Sequence, residues 1–206
     1  MISPYICKNI IFATGASPRL LGVDGEERFK GLGVSYCATC DGAFYKDKTA
    51  VIVGGGNTAF SEALYLAKLC KEVYLIHRSE NFRASASLIE QVKQNPKITI
   101  RTNEVVDKIQ GDDKVKSVVL KHTLSSRISV LETACVFVAA GRLPNSSLLK
   151  ELVRLDANGY VITDGNMRTN VSGIYAIGDV RQTPLRQIAT AVSDGAIAAN
   201  DIALIK

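Results

Sequence analysis

The first strongly patterned stretch, Lys8-Asn9-Ile10-Ile11-Phe12-Ala13-Thr14-Gly15, is an apolar run stopped by glycine, and it predicts a buried strand. A linker containing proline and glycine follows from Ser17 to Gly33. From Thr49 the pattern becomes regular. Ala50-Val51-Ile52-Val53 is too short for a helix and rich in β-branched residues, so it predicts a strand. Asn57 to Cys70 has helical spacing, with Ala59, Ala63, Leu66 and Leu69 or Cys70 on one face. Val73-Tyr74-Leu75-Ile76 is the next strand, and the βαβ unit so formed implies a parallel sheet with a right-handed crossover. A second helix over Ala84–Lys93 leads to the strand Lys97–Ile100. Glu104–Ile109, Val115–Lys121 and Ile128–Glu132 predict an antiparallel meander, with turns at Gly111-Asp112 and Ser125-Ser126. Cys135–Ala139 is again a fully apolar strand, ended by Gly141.

Beyond Pro144 the character changes. Tyr160–Thr163 and Ile174–Ile177 predict strands, and Arg186–Ile202 a closing helix with Ile188, Val192, Ala199 and Ile202 facing roughly one way. Gly195 inside that helix costs about 1 kcal/mol against alanine, which points to close approach of another group. The order suggests an α/β protein in which one domain is inserted into pieces of another: residues 1–31, then an insert over 32–142, then 143–206.

Composition narrows the function classes. The chain has 206 residues, 47% of them hydrophobic, enough for a sizeable core, and its net charge of +5 includes no basic block that would suit nucleic acid. No segment approaches the ~18 consecutive apolar residues of a membrane span. The opening MISPYICKNII has no charged n-region or cleavage site, so no signal peptide is expected. Five cysteines is an odd count for a secreted disulfide framework, and a cytoplasmic setting is the expectation.

Three motifs carry chemistry. Gly54-x-Gly56-x-x-Ala59 follows a strand and opens a helix, the context required of a dinucleotide fingerprint. The first glycine makes the turn, the second lets the backbone approach a pyrophosphate, and the helix N-terminus supplies free N–H groups. The second strand then runs into His77-Arg78-Ser79-Glu80-Asn81-Phe82-Arg83, where an NAD site would place an acid. Two arginines there suit a 2′-phosphate, hence NADP(H), although Glu80 could pair with either. Cys37-Ala38-Thr39-Cys40-Asp41 is the third motif. A structural zinc needs four ligands, and besides this C-x-x-C the chain offers only His77 and His122, which argues for a redox pair instead. Asp41 is placed to give or take a thiol proton. Cys7, Cys70 and Cys135 sit in apolar contexts and are expected in the core. Hydride donors and dithiols exchange electrons through a flavin, and the strand ending at Gly178-Asp179 with Arg186-Gln187-Ile188 beyond it is a candidate flavin end.

Taken together, the chain resembles the low-molecular-weight thioredoxin reductases. The resemblance lies in ATG at Ala13-Thr14-Gly15, CATCDG from Cys37, GGGNTA from Gly54, HRxxxFRA from His77, GRxPN from Gly141, GD at Gly178-Asp179 and RQIATA from Arg186, in family order over nearly the whole chain. It implies a Rossmann-like NADPH-binding domain inserted into an FAD-binding domain, with electrons passing from NADPH through FAD to Cys37 and Cys40 and on to thioredoxin. By it Cys37 attacks the partner disulfide, Cys40 faces the flavin and Asp41 is the acid/base. Gly54, Gly55, Gly56, Asn57, Thr58, His77, Arg78 and Arg83 would hold NADPH; Thr14, Gly15, Gly178, Asp179, Arg186, Gln187 and Ile188 would touch FAD. The family is usually a homodimer. Ser79 stands where it often carries a further arginine, and its first Gly-rich FAD fingerprint has no counterpart before Lys8. A close variant is the flavoprotein that reduces a peroxiredoxin. The alternative of another class is a non-catalytic NADP(H)-binding module, and weak or absent FAD binding by this chain alone is the expectation.

Overall fold

The computed structural model of the chain describes residues 5–204. In chain order the elements are β1 (Ile10–Phe12), β2 (Ala16–Pro18), β3 (Val34–Ser35), α1 (Ala38–Asp41), β4 (Thr49–Val53), α2 (Asn57–Leu69), β5 (Glu72–Ile76) and α3 (Ala86–Gln94). They continue with β6 (Ile98–Arg101), β7 (Glu104–Gly111), β8 (Val115–His122), β9 (Ile128–Glu132), β10 (Cys135–Val138), β11 (Arg142–Pro144), β12 (Ile174–Ala176) and α4 (Ile188–Leu204). Two compact units result, one formed by residues up to Ser17 with those from Arg142 onward, the other by Pro18–Gly141. Among the described residues no helix is long and apolar enough to cross a membrane.

The Pro18–Gly141 unit is built on a five-stranded parallel sheet of order β3-β10-β4-β5-β6. Its strands are apolar throughout because both faces are covered. Along β4, Ala50 and Ile52 enter the core beneath α2 and α3, while Val51 enters the core on the opposite face. Cys135 and Phe137 of β10 join the helix side, and Val136 and Val138 the other. That second face is covered by the antiparallel meander β7-β8-β9, through Val106, Ile109, Val118 and Leu120. The expected insert began at residue 32, whereas this unit starts at Pro18. Residues 18–31 pack on the meander: Phe29 is buried in its core, Asp24 bridges Lys108, and a Cβ on Gly25 would meet Ile109 O at 2.1 Å.

In the other unit β1 pairs in parallel with β12, Ile10 opposite Ile174 and Phe12 opposite Ala176. The strand at Ile10–Phe12 forms as expected but is not buried, since Ile10 and Ile11 are 42% and 40% exposed. The strand expected over Tyr160–Thr163 does not form. Val161 alone makes isolated bridges, to Leu155 and Arg181. Asx turns on either side take up the backbone instead: Asp156 accepts from the Asn158 and Tyr160 N–H groups, and Asp164 from those of Asn166 and Arg168.

The closing helix also departs from expectation, because α4 turns most of its predicted apolar face outward, Ile202 excepted, which packs half-buried against the cluster of Met167, Tyr175 and Ala198. Ile188 and Val192 are exposed, while Asp194, Ala198 and Asp201 are buried. The acids are inside because each has a guanidinium partner distant in sequence. Asp194 accepts from Arg181 Nε at 2.6 Å and Nη2 at 3.0 Å and from the Gly178 N–H at 2.9 Å. Asp201 accepts from Arg168 Nε and Nη2 and from the Tyr175 hydroxyl. A Cβ on Gly195 would meet Ile177 Cδ1 at an ordinary 3.7 Å, so within this unit that glycine is not required by close approach.

Burial opposes ionisation of Asp194, yet the hydrogen bonds from Arg181 and the Gly178 N–H hold its carboxyl below the usual carboxylate value of 3.8. A depressed carboxylate contributes stability that is complete above that value and is lost as pH falls through the lowered one. Asp194→Ala should therefore cost about 3 kcal/mol in denaturant unfolding at neutral pH, by leaving Arg181 without its partner, and less once pH has fallen through that lowered value. An unchanged midpoint at neutral pH would contradict this account of the helix.

Candidate functional site

The turn between β4 and α2 is shaped by what its glycines exclude. A Cβ on Gly54 would lie 2.5 Å from Ala139 O and 2.8 Å from the Ala59 Cβ, so strand, helix and the end of β10 meet at the closest possible approach. A Cβ on Gly55 would strike the His77 ring at 2.2 Å. Gly56 is the opposite case: nothing lies within 4 Å of where its Cβ would be. It precedes α2, whose N-terminus has no side-chain cap. Open space over a glycine at an uncapped helix start is what a phosphate needs.

The loop after β5 is fastened to this turn. The Arg83 N–H donates to Gly55 O at 2.7 Å, and the Ser85 N–H donates to Asn57 Oδ1 at 2.8 Å. The His77 ring lies on Gly55, with Nε2 3.2 Å from Asn81 O and 3.3 Å from Ser79 Oγ. Burial pushes its pKa down, Asn81 O opposes that, and Arg78 and Arg83 add to it. Glu80, which could have neutralised either arginine, accepts instead from Asn103 Nδ2 at 2.9 Å. Among the described residues neither Arg78 nor Arg83 has a carboxylate partner. Gly54, Gly55, His77, Arg78 and Arg83 line one cleft of about 490 Å³. Asn57 and Thr58 lie exposed in the first turn of α2 beside it.

Two further residues of this cleft were not singled out in the sequence. Arg19 lies in a stretch read as linker, and Glu104 opens the meander. The Glu104 N–H donates to His77 O, and its Oε1 accepts from Arg101 at 2.7 Å. An alternating strand pattern marks Glu104 only as inward-facing.

In the same unit Cys37 and Cys40 form a disulfide, with Cα atoms 5.3 Å apart. Cys37 ends an extended segment at φ −148°, and α1 begins immediately after it, so one turn brings the two sulfurs together. Cys37 is half-buried and Cys40 exposed. Thr39 Oγ1 lies 3.3 Å from Cys37 Sγ. Asp41 Oδ2 accepts from Ser35 Oγ at 2.6 Å, and Ser35 Oγ accepts from the Cys37 N–H at 3.1 Å. Ser35 is buried, and nothing in the motif pointed to it. Cys70 and Cys135 lie in the core beneath the helices, where burial pushes both thiols up. Cys7 is a correction: it is exposed, because it precedes the first strand instead of belonging to it.

The remaining candidates lie in the other unit. Thr14 and Asn145 clasp each other: Thr14 Oγ1 donates to Asn145 O, and Asn145 Nδ2 to Thr14 O. Gly15 has φ +71° and open space about its α-carbon. Gly178 gives its N–H to Asp194, and Asp179 lies 3.8 Å from Arg142. Arg186 and Gln187 precede α4 instead of beginning it, and Ile188, its first residue, is 85% exposed. The Arg186 guanidinium stacks on Tyr160 at 4.0 Å, and its Nε is buried with no hydrogen-bond partner among the described residues.

The family model for pyridine nucleotide-disulphide oxidoreductases matches residues 3–195. The thioredoxin reductase of Peptoclostridium acidaminophilum is 45% identical over 201 residues, and that of Treponema pallidum (strain Nichols) 43% over 196. Each match covers 95% of this chain and 64% of the relative, so the chain spans less than two thirds of the length of these curated relatives. The crystal structure of thioredoxin reductase from Streptococcus pyogenes MGAS5005 superimposes with a TM-score of 0.89 at 43% identity, over 95% of this chain and 64% of that one.

The thiols give a direct check on this geometry. In the native oxidised chain an alkylating reagent should label Cys7 quickly and leave Cys70 and Cys135 untouched, and mild reduction should add Cys37 and Cys40 as a pair. Mass spectrometry after differential alkylation reads this. Rapid labelling of Cys135 would overturn the placement of β10.

Proposed function

The chain belongs to the pyridine nucleotide-disulphide oxidoreductase family, and we propose that it serves an NADPH- and FAD-dependent reduction of the Cys37–Cys40 disulfide, whose dithiol then reduces a thioredoxin. The observation that carries this reading is a pair of guanidinium groups with no carboxylate partner among the described residues, close to a glycine whose outer side is open.

Those residues fit NADPH. Arg78 and Arg83 would take the 2′-phosphate as charge-assisted donors, and Gly56 with the N–H groups of Asn57 and Thr58 would take the pyrophosphate. In the other unit the orphaned Nε of Arg186 is a buried donor suited to an acceptor on FAD, with Asp179, Gly178, Thr14, Gly15, Gln187 and Ile188 as the other candidates. When bound, NADPH supplies a hydride, and FAD couples that two-electron donor to sulfur. The chain's own part begins once Cys37 and Cys40 are reduced. The Cys37 thiolate attacks the partner's disulfide, and one partner sulfur leaves as a thiolate. The Cys40 thiol then gives its proton to Asp41, and its sulfur attacks Cys37 Sγ. This re-forms the Cys37–Cys40 bond and releases the partner's second thiolate, which takes up a proton. Two electrons have passed to the partner.

A second reading, nucleotide binding without turnover, is favoured by the exposed apolar surface of the unit that would hold FAD: Ile10 and Ile11 on β1 and Ile188 and Val192 on α4. Colour separates the two. A yellow purified chain that releases FAD on denaturation supports the first; a colourless one that binds NADPH supports the second.

Nucleotide choice tests the arginines. Arg78→Ala and Arg83→Ala should each weaken NADPH binding about tenfold in titration calorimetry and leave NADH nearly unchanged. Equal losses for both nucleotides would sink the assignment. The glycines should separate fold from binding. Gly56→Ala, whose new methyl meets no atom of the described residues within 4 Å, should leave the melting temperature unchanged and abolish tight NADPH binding. Gly54→Ala should lower the melting temperature, because its methyl overlaps Ala139 O. Full NADPH affinity in Gly56→Ala would contradict the phosphate site.

A further inference from the structure

We propose that Ser35 is a positioning residue for Asp41, and that it acts through a two-bond relay tying the carboxylate to the backbone of the attacking cysteine. The proposal rests on the role given to Asp41 above. Ser35 is 6% exposed and lies at the end of β3, whose backbone is held against β10 through the pairing of Ser35 with Phe137. Its hydroxyl has one proton to give. Asp41 Oδ2, at 2.6 Å, receives it; the carbonyl of Cys37, at 3.4 Å, is the poorer acceptor. Ser35 Oγ in turn accepts the Cys37 N–H at 3.1 Å. The chain of donors therefore runs from the Cys37 N–H to Ser35 Oγ, and from Ser35 O–H to Asp41 Oδ2.

The consequence is geometric. Asp41 ends the four-residue helix α1 and has no ion-pair partner among the described residues. Without Ser35 its side chain would be free to change rotamer. With Oδ2 bound to a strand-end hydroxyl, Oδ1 is the oxygen left for the Cys40 proton. Ser35 thereby holds the base where the second thiol must lose its proton, and it does so from a rigid element. Because Cys37 shares the relay, its backbone and the carboxylate are fixed relative to each other.

The test uses the full chain carrying Cys7→Ser, so that the exposed Cys7 does not react, reduced with dithiothreitol and desalted. Mixed with 5,5′-dithiobis(2-nitrobenzoate), one cysteine thiolate attacks the reagent and releases a first thionitrobenzoate. The other thiol then loses its proton and attacks the mixed disulfide, which releases the second thionitrobenzoate and forms the Cys37–Cys40 bond. Two thiols are oxidised, one reagent disulfide is reduced, and two protons pass to solvent. Stopped-flow absorbance reads the second step.

Asp41→Asn should slow that step about a hundredfold, and Ser35→Ala about tenfold. Ser35→Thr, which keeps the hydroxyl, should react at least fivefold faster than Ser35→Val, which has the same bulk without it, so the comparison stands even if the smaller side chain loosens β3. In an Asp41→Asn background Ser35→Ala should add no further slowing. Ser35→Ala slowing the step equally with and without Asp41, or Thr and Val behaving alike, would overturn the positioning role while leaving Asp41 in place. An Asp41→Asn chain reacting at the full rate would overturn the acid/base reading itself, and the positioning role with it.

Discussion

Two hydrogen bonds hold the candidate nucleotide site together: Arg83 N–H to Gly55 O and Ser85 N–H to Asn57 Oδ1. Each joins the loop after β5 to the turn after β4, so the guanidinium-bearing segment has no freedom to swing away from the helix start. Long cationic side chains on an untethered loop would lose much rotamer entropy on meeting a phosphate. Here the backbone that carries them is already ordered. The His77 ring, seated where a Gly55 side chain would be, closes the same joint from the other side.

That joint depends in turn on the sheet. The turns that line the cleft leave the carboxyl ends of three adjacent parallel strands: Gly54 after β4, His77 after β5 and Ala139 after β10. Crevices at the carboxyl edge of an open parallel sheet are where α/β folds bind ligands. The edge is stiff because the sheet is covered on both faces, by helices on one and by the meander on the other. The absence of room at Gly54 follows from this packing, and so does the contrast with Gly56, where the protein leaves space.

What could be read in the sequence was whatever the local pattern determines. Val51, Ile52, Val136 and Phe137 announced doubly covered strands, and Gly54-x-Gly56-x-x-Ala59 announced the turn that follows one. The arginine pair was visible because its place after β5 is set by the chain. What stayed hidden depends on partners far away. Asp194 and Asp201 look like the polar side of α4, yet they are its buried side, because Arg181 and Arg168 reach them from elsewhere. Residues 18–31 looked like a linker until Phe29 and Gly25 met the meander. Ser35 precedes the first motif cysteine by two positions and reaches Asp41 only because α1 turns the chain back. Tyr160–Thr163 has the composition of a strand, but the side chains of Asp156 and Asp164 claim the neighbouring backbone.

The central claim is that one rigid cleft, lined by two guanidinium groups that have no carboxylate partner among the described residues and adjoined by an open glycine at the start of α2, is built for a 2′-phosphorylated dinucleotide. A crystal structure of this chain with NADP⁺ tests it most directly. The account predicts the 2′-phosphate within hydrogen-bond distance of both Arg78 and Arg83 and the pyrophosphate over Gly56 at the start of α2, with the Arg83–Gly55 and Ser85–Asn57 hydrogen bonds unchanged. A nucleotide bound away from Gly56, or a 2′-phosphate turned to solvent with both arginines uninvolved, would contradict it.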